Sequence, residues 1–205
     1  MAQVTTNAPT PQTAPALSFG SHFADPAPLG LAAFALTTFM LSTFNSGLAP
    51  ASVEGVVLGV ALFYGGIAQL LAGMWEFAKG NTFGALAFSS YGAFWMSFWF
   101  LVSHVGDLPK ADAAKGVGVF LLAWTIFTIY MTVVASRISG VLFALFAVLA
   151  LTFAFLTIGK FGGSVSMTKI GGYLGLLTAL VAWYASFAGV LNATAKRIVM
   201  PTWPR

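Results

Sequence analysis

The chain has 205 residues, 59% of them hydrophobic and only 7% charged, with nine Lys/Arg against five Asp/Glu for a net charge of +4. A soluble domain carries roughly 25% charged residues, so this composition excludes a soluble enzyme, a nucleic-acid binder and a secreted module. The basic residues are scattered over loops and tails and make no nucleic-acid footprint. The chain has no cysteine, which removes disulfides, thiolate chemistry and thiolate metal sites.

Residues 1–22 are rich in Ala, Pro, Thr and Gln, with Pro9, Pro11 and Pro15, and predict a disordered tail. FADPAPLGL follows at 23–31. Its prolines block helix before them, a helix starts at Pro28, and Asp25 is placed to cap its free N–H groups. Beyond this point the charges bracket six uncharged intervals, 26–53, 55–75, 80–103, 116–136, 138–159 and 170–195, of 28, 21, 24, 21, 22 and 26 residues. A membrane-crossing helix needs about 20 largely apolar residues, and every interval meets that. The predicted helices are 29–48, 55–78, 82–104, 115–135, 138–158 and 170–192. Pro50, then Gly80 and Asn81, then Arg137 mark tight turns, while 106–116 and the Gly/Ser stretch 160–169 read as polar loops.

The fold class is therefore all-α: a polytopic membrane protein with one six-helix transmembrane domain over 23–195 and a short basic tail at 196–205. An even span count puts both termini on one side. Lys196 and Arg197 next to the last helix assign that side to the cytosol. Gly55/Gly59 and Gly171/Gly175 sit four apart, a spacing that lets helices approach closely in lipid, and are expected to present smooth faces to neighbouring subunits.

Polar residues inside such spans are costly and mark interior contacts or aqueous paths. Gly66, Gln69, Gly73 and Glu76 share one face of the second helix, and Glu76, with Lys79 one turn beyond it, is open to two roles, a structural ion pair with Lys79 or a part in transport. Phe34, Thr38, Leu41 and Asn45 share a face of the first helix, Gly84, Phe88, Tyr91 and Trp95 of the third, and Phe146, Leu149 and Phe153 of the fifth. A narrow path walled by aromatics with few hydroxyls and amides suits a small, partly apolar solute. His22 and His104 lie near span ends, and Asp107 and Asp112 read as solvated loop charges, so neither a metal centre nor a cofactor is expected. No hydrolase, phosphate-loop or zinc signature points to an enzyme.

Three stretches, FADPAPLGL at 23–31, FYGGIAQLLAGMWEFAKGNTFGALAFSSYGAFW at 63–95 and the weaker WTIFTIYM at 124–131, resemble the acetate uptake transporter family, the succinate–acetate permease group (SatP/YaaH) of bacteria and its fungal relatives. The resemblance implies a homohexameric ring in the lipid bilayer with a path inside each subunit. Its solute is acetate and related small monocarboxylates, in some members succinate, carried by an anion channel or a proton-coupled carrier. By local motif, the family's Phe–Tyr–Leu constriction matches Phe34, Tyr91 and Leu149, and its polar positions match Gln69, Glu76 and Asn81. The family's proline motif usually opens with Asn, where this chain has Asp25, a departure that puts a negative charge near the expected anion entrance, among the pathway or supporting polar residues. The short tails suit a prokaryotic inner membrane. Two alternatives stay open: a passive channel for another small solute, and a non-transport membrane sensor or organising protein. Tyr91 is expected to offer its O–H to a passing carboxylate.

Overall fold

The computed structural model describes residues 23–205, so the expected tail 1–22, with His22, lies outside the described residues. Six helices are long and apolar enough to cross a membrane: α1 Ala27–Asn45, α2 Ala51–Ala78, α3 Thr82–His104, α4 Lys110–Ala135, α5 Gly140–Gly162 and α6 Val165–Ala195. No strand forms among the described residues beyond one isolated bridge, Ser139 to Pro204. Around the outside, large apolar side chains such as Phe63, Val133, Ile126 and Leu180 are exposed, as a bilayer-facing surface requires.

Each helix starts and stops for a local reason. Pro28 occupies the first turn of α1, where its missing N–H costs nothing. Asp25 Oδ1 accepts from the Ala27 N–H at 3.3 Å, the role expected of it. Asn81, Ser139 and Ser164 cap α3, α5 and α6 by accepting from the N–H of Gly84, Leu142 and Met167. α2 is not uniform: it opens as a 3-10 turn at Ala51–Val56, runs α-helical, widens into a π-helical turn at Phe63–Ala68 and resumes as Gln69–Ala78.

Two predicted loops are mostly helix. The polar stretch 106–116 yields only a short 3-10 turn and Leu108–Pro109 before α4 begins at Lys110, because Pro109 fixes the entry and polar residues are free to occupy an exposed first turn. The Gly/Ser stretch 160–169 shrinks to a turn at Gly163 and Ser164. Gly163 takes the left-handed conformation (φ 61°) that ends a helix, and Ser164 caps the next. α6 consequently starts five residues before the predicted position and runs for 31.

The closest helix pairs are α1 with α6, α5 with α6, α4 with α5, and α2 with α3. At the α1–α6 crossing a Cβ on Gly172 would sit 2.5 Å from the Asn45 carbonyl carbon and 2.6 Å from Ser46 Cα, so only glycine permits this approach. Gly171 and Gly175 pack in the same interior, against Leu156 and against Ser42 and Thr152. They do not face neighbouring subunits, which corrects the expectation for that pair; the contacts of α6 with α1 and α5 consume its small-residue face. Gly55 and Gly59 remain open, with nothing within 4 Å. α3 has no comparable backbone approach to α4 or α5. Aromatic side chains and cavities fill that seam instead.

The basic segment after α6 is tied down. Asn192 accepts from the N–H of Val199 and Met200 and donates to the Met200 carbonyl. The Tyr184 hydroxyl donates to the Pro201 carbonyl, and the Gly140 N–H donates to the Trp203 carbonyl, closing the segment onto the α4–α5 turn.

Candidate functional site

Two cavities lie one above the other along the bundle. The first, about 100 Å³, is near the end where α1, α3 and α5 begin, and its walls include Phe34, Gln69, Asn81, Tyr91, Phe146 and Leu149. The second, about 240 Å³, is near the opposite end, walled by Leu41, Asn45, Glu54, Phe98, Leu156 and Lys160 among others. On a comparable measure one water needs about 10–15 Å³, so either cavity has room for a solute of a few heavy atoms.

Three helices contribute to both cavities, with the same spacing. Phe34 and Leu41 on α1, Tyr91 and Phe98 on α3, and Leu149 and Leu156 on α5 are each seven residues apart. At 1.5 Å per residue, the stretch between the cavities is about 10 Å long. It is filled mainly by aromatic rings. Phe94 is buried at the centre, with ring centroids 5.0 Å from Trp95, 5.1 Å from Trp124, 5.3 Å from Phe153 and 5.6 Å from Phe120.

The structure brings together most of the residues singled out in the sequence. Phe34, Tyr91 and Leu149 wall the first cavity together, with the Phe34 and Tyr91 rings 5.6 Å apart. Gln69 reaches the same cavity from α2, and its Oε1 is buried without a partner. The face Phe34–Thr38–Leu41–Asn45 runs the whole length: Phe34 at the first cavity, Thr38 buried between the two, Leu41 and Asn45 at the second.

Three expectations need correction. Glu76 does not pair with Lys79. Its side chain points into the bundle, 1% exposed, and Oε2 accepts from Asn81 Nδ2 at 2.9 Å. Lys79, just past the end of α2, reaches Asp25 instead at 3.5 Å. Second, neither Asp25 nor Glu76 walls either cavity; Asp25 lines a shallow outer hollow with Phe23 and Trp75. Third, the Tyr91 hydroxyl is 2.8 Å from Thr128 Oγ1, and Thr128 donates its only hydrogen to the Trp124 carbonyl at 2.7 Å. Tyr91 must therefore donate to Thr128, and its hydrogen is already committed.

Phe94, Glu54 and Lys160 were not singled out by the sequence. Phe94 is three residues past Tyr91 on a helix, a spacing that shares a face, and could have been found that way. Glu54 and Lys160 read as span-end charges, and no local spacing announces that they border one cavity.

The model of the GPR1/FUN34/yaaH family matches residues 7–204. The chain belongs to that family. A succinate-acetate/proton symporter, SatP of Escherichia coli (strain K12), is 39% identical over 183 residues, covering 88% of this chain and 96% of its own. The ammonia transport outward protein 2 of Saccharomyces cerevisiae is 45% identical over 184 residues, covering 87% of this chain and 65% of its own. The chain thus spans about two thirds of the length of the yeast relatives it matches, 66% and 65%. A solved structure, that of the bacterial acetate channel SatP, superposes with a TM-score of 0.82 at 38% identity over 88% of this chain and 99% of that one.

Proposed function

We propose that the protein passes acetate and related small monocarboxylates across the prokaryotic inner membrane through the two cavities of each subunit, with both termini in the cytosol and the subunits assembled as a homohexamer. The observation that carries this reading is the pair of aligned cavities divided by about 10 Å of aromatic barrier. The bacterial relatives named for succinate and acetate support the solute class. An apolar first cavity with an amide at its edge fits a molecule that has a methyl at one end and an acceptor at the other. Open Gly55 and Gly59 leave a smooth outer strip of α2 for a neighbouring subunit, and native mass measurement in mild detergent tests the hexamer.

The barrier sets the rate. Full desolvation of a carboxylate costs on the order of 20 kcal/mol in an idealised apolar medium and several kcal/mol in a real protein. With a prefactor of about 6 × 10¹² s⁻¹, a barrier of about 10 kcal/mol permits on the order of 10⁵ crossings per second, and one of about 20 kcal/mol almost none. No carboxylate or imidazole lies among the described residues walling the first cavity, and Glu76 sits behind Asn81. Passage through the first cavity therefore needs no protein carboxylate to carry a proton there, and the carboxylate on the path is Glu54, which shares the second cavity with Lys160.

The test is radiolabelled acetate uptake into proteoliposomes under an imposed voltage, with and without a proton gradient. The reading expects voltage-driven uptake that the proton gradient does not control. Uptake that strictly requires the proton gradient would replace the channel with a proton-coupled carrier. Ammonia flux without acetate flux would overturn the solute assignment in favour of the chemistry named in the yeast relative, and no flux at all would overturn transport.

A further inference from the structure

The barrier between the cavities contains two hydrogen-bond donors that no partner among the described residues uses. Thr38 Oγ1 and Trp95 Nε1 are both buried, the residues 6% and 2% exposed, and neither has a partner. Both depart from the ordinary behaviour of their residue type. Thr37, Thr43, Thr125, Thr152, Thr157 and Thr178 each donate to the carbonyl four residues earlier, as helical threonines in an apolar setting do. Thr38, adjacent to the first of these, does not. A buried tryptophan N–H likewise normally finds an acceptor, and leaving a buried donor unmade is costly.

Their places along the two helices correspond. α1 and α3 both run from the first cavity to the second, with Phe34 and Tyr91 in ring contact at the first. Thr38 is four residues past Phe34 and Trp95 four past Tyr91, so each lies one turn deeper on the same face of its helix. Both precede the residues that open the second cavity, Leu41 and Phe98. The two donors therefore stand at one depth inside the barrier.

We infer that Thr38 Oγ1–H and Trp95 Nε1–H form a transit site for a carboxylate within the aromatic barrier, replacing the water the anion sheds on leaving the first cavity. The inference rests on the acetate reading above and adds to it the groups that lower the barrier. Two donors on opposing helices suit the two oxygens of a carboxylate. Hydrogen bonds to an ionised acceptor are about twice as strong as neutral ones, so the site favours an anion over a neutral molecule of the same shape. Tyr91, whose hydrogen is held by Thr128, plays no donor part in it.

The test compares Trp95→Phe and Thr38→Val with the parent in proteoliposomes, measuring flux of acetate and of its neutral isostere acetamide. Trp95→Phe removes the N–H but also bulk, so a purely steric barrier would pass acetate faster. The transit site instead expects acetate flux to fall about tenfold or more in each variant, the scale of one charge-assisted hydrogen bond, with acetamide flux falling by less than about threefold. Thermal stability should hold or rise in Thr38→Val, because an unsatisfied buried donor is removed with little change of volume. In Trp95→Phe that gain is set against the cavity left by the lost bulk, so flux is normalised to folded protein. Thr37→Val, which removes a satisfied hydroxyl next door, serves as the control with unchanged acetate flux. Unchanged or faster acetate flux in both variants overturns the transit site while leaving the transport reading intact. Absence of acetate flux in the parent overturns both.

Discussion

Replacing Tyr91 with Phe separates two roles that the sequence leaves merged. The ring lies against Phe34, Phe127 and Phe146 at 5.6, 5.3 and 6.0 Å, and phenylalanine keeps all three contacts. Only the hydroxyl is lost, and with it the bond to Thr128. Thr128 still donates to the Trp124 carbonyl, so what remains is one unfilled acceptor position on a hydroxyl oxygen. That costs about 0.5–1.5 kcal/mol of stability. Because the Tyr91 hydrogen is already committed, acetate flux normalised to folded protein should stay within about threefold of the parent; a bond made only in transit would, at about 1.4 kcal/mol, cost tenfold. Thr128→Val is the complement. It releases the Tyr91 hydrogen toward the first cavity and should lower the acetate concentration for half-maximal flux by up to about tenfold, a gain that Tyr91→Phe in the same background should erase. Thermal melts and acetate flux on the three variants decide the matter. A tenfold flux loss in Tyr91→Phe with an unchanged melting point would refute the reasoning, because the hydroxyl would then be leaving Thr128 for the solute.

Phe34→Ala or Leu149→Ala enlarges the first cavity, and the ratio of butyrate to acetate flux should rise several-fold; an unchanged ratio would assign both residues to packing alone. Asp25→Asn keeps the acceptor for the Ala27 N–H and removes one half of an exposed ion pair, which is worth at most about 1 kcal/mol. Acetate uptake should be equal or faster, most visibly at low ionic strength, where a fixed charge is least screened; a large loss in folded protein would mean that the carboxylate is required. Gly172→Ala forces a methyl onto the α1 backbone and should cost about 1–3 kcal/mol or more, seen as a sharp fall in melting temperature, whereas Gly116→Ala, with nothing within 4 Å, should leave it unchanged.

The spans were legible because charge is excluded from hydrocarbon, so each bracketing charge or turn residue marks an end. That logic finds limits better than it finds loops: it cannot distinguish a polar loop from a polar first turn, which is why α4 and α6 start earlier than the charges suggest. Helical spacing grouped Phe34 with Thr38 and Tyr91 with Trp95, and all four are buried. It could not say which groups spend their hydrogens inside the protein. The pairing of Tyr91 with Thr128, 37 residues away, and of Lys79 with Asp25 rather than Glu76 depends on how helices meet. Glu54 and Lys160 border one cavity for the same reason. The resemblance carried the Phe–Tyr–Leu triad, whereas the unpartnered hydroxyl and indole next to it became visible only once every neighbouring hydrogen bond was accounted for.

The chain has no native cysteine, so a single introduced thiol reports on one place. Ala87 is 3% exposed and walls the first cavity. Ala87→Cys should react with a small methanethiosulfonate reagent in proteoliposomes, acetate should slow that reaction, and the labelled protein should lose acetate flux because the adduct takes up space in the first cavity beside Phe34. Complete labelling with acetate flux unchanged would contradict a path through this cavity.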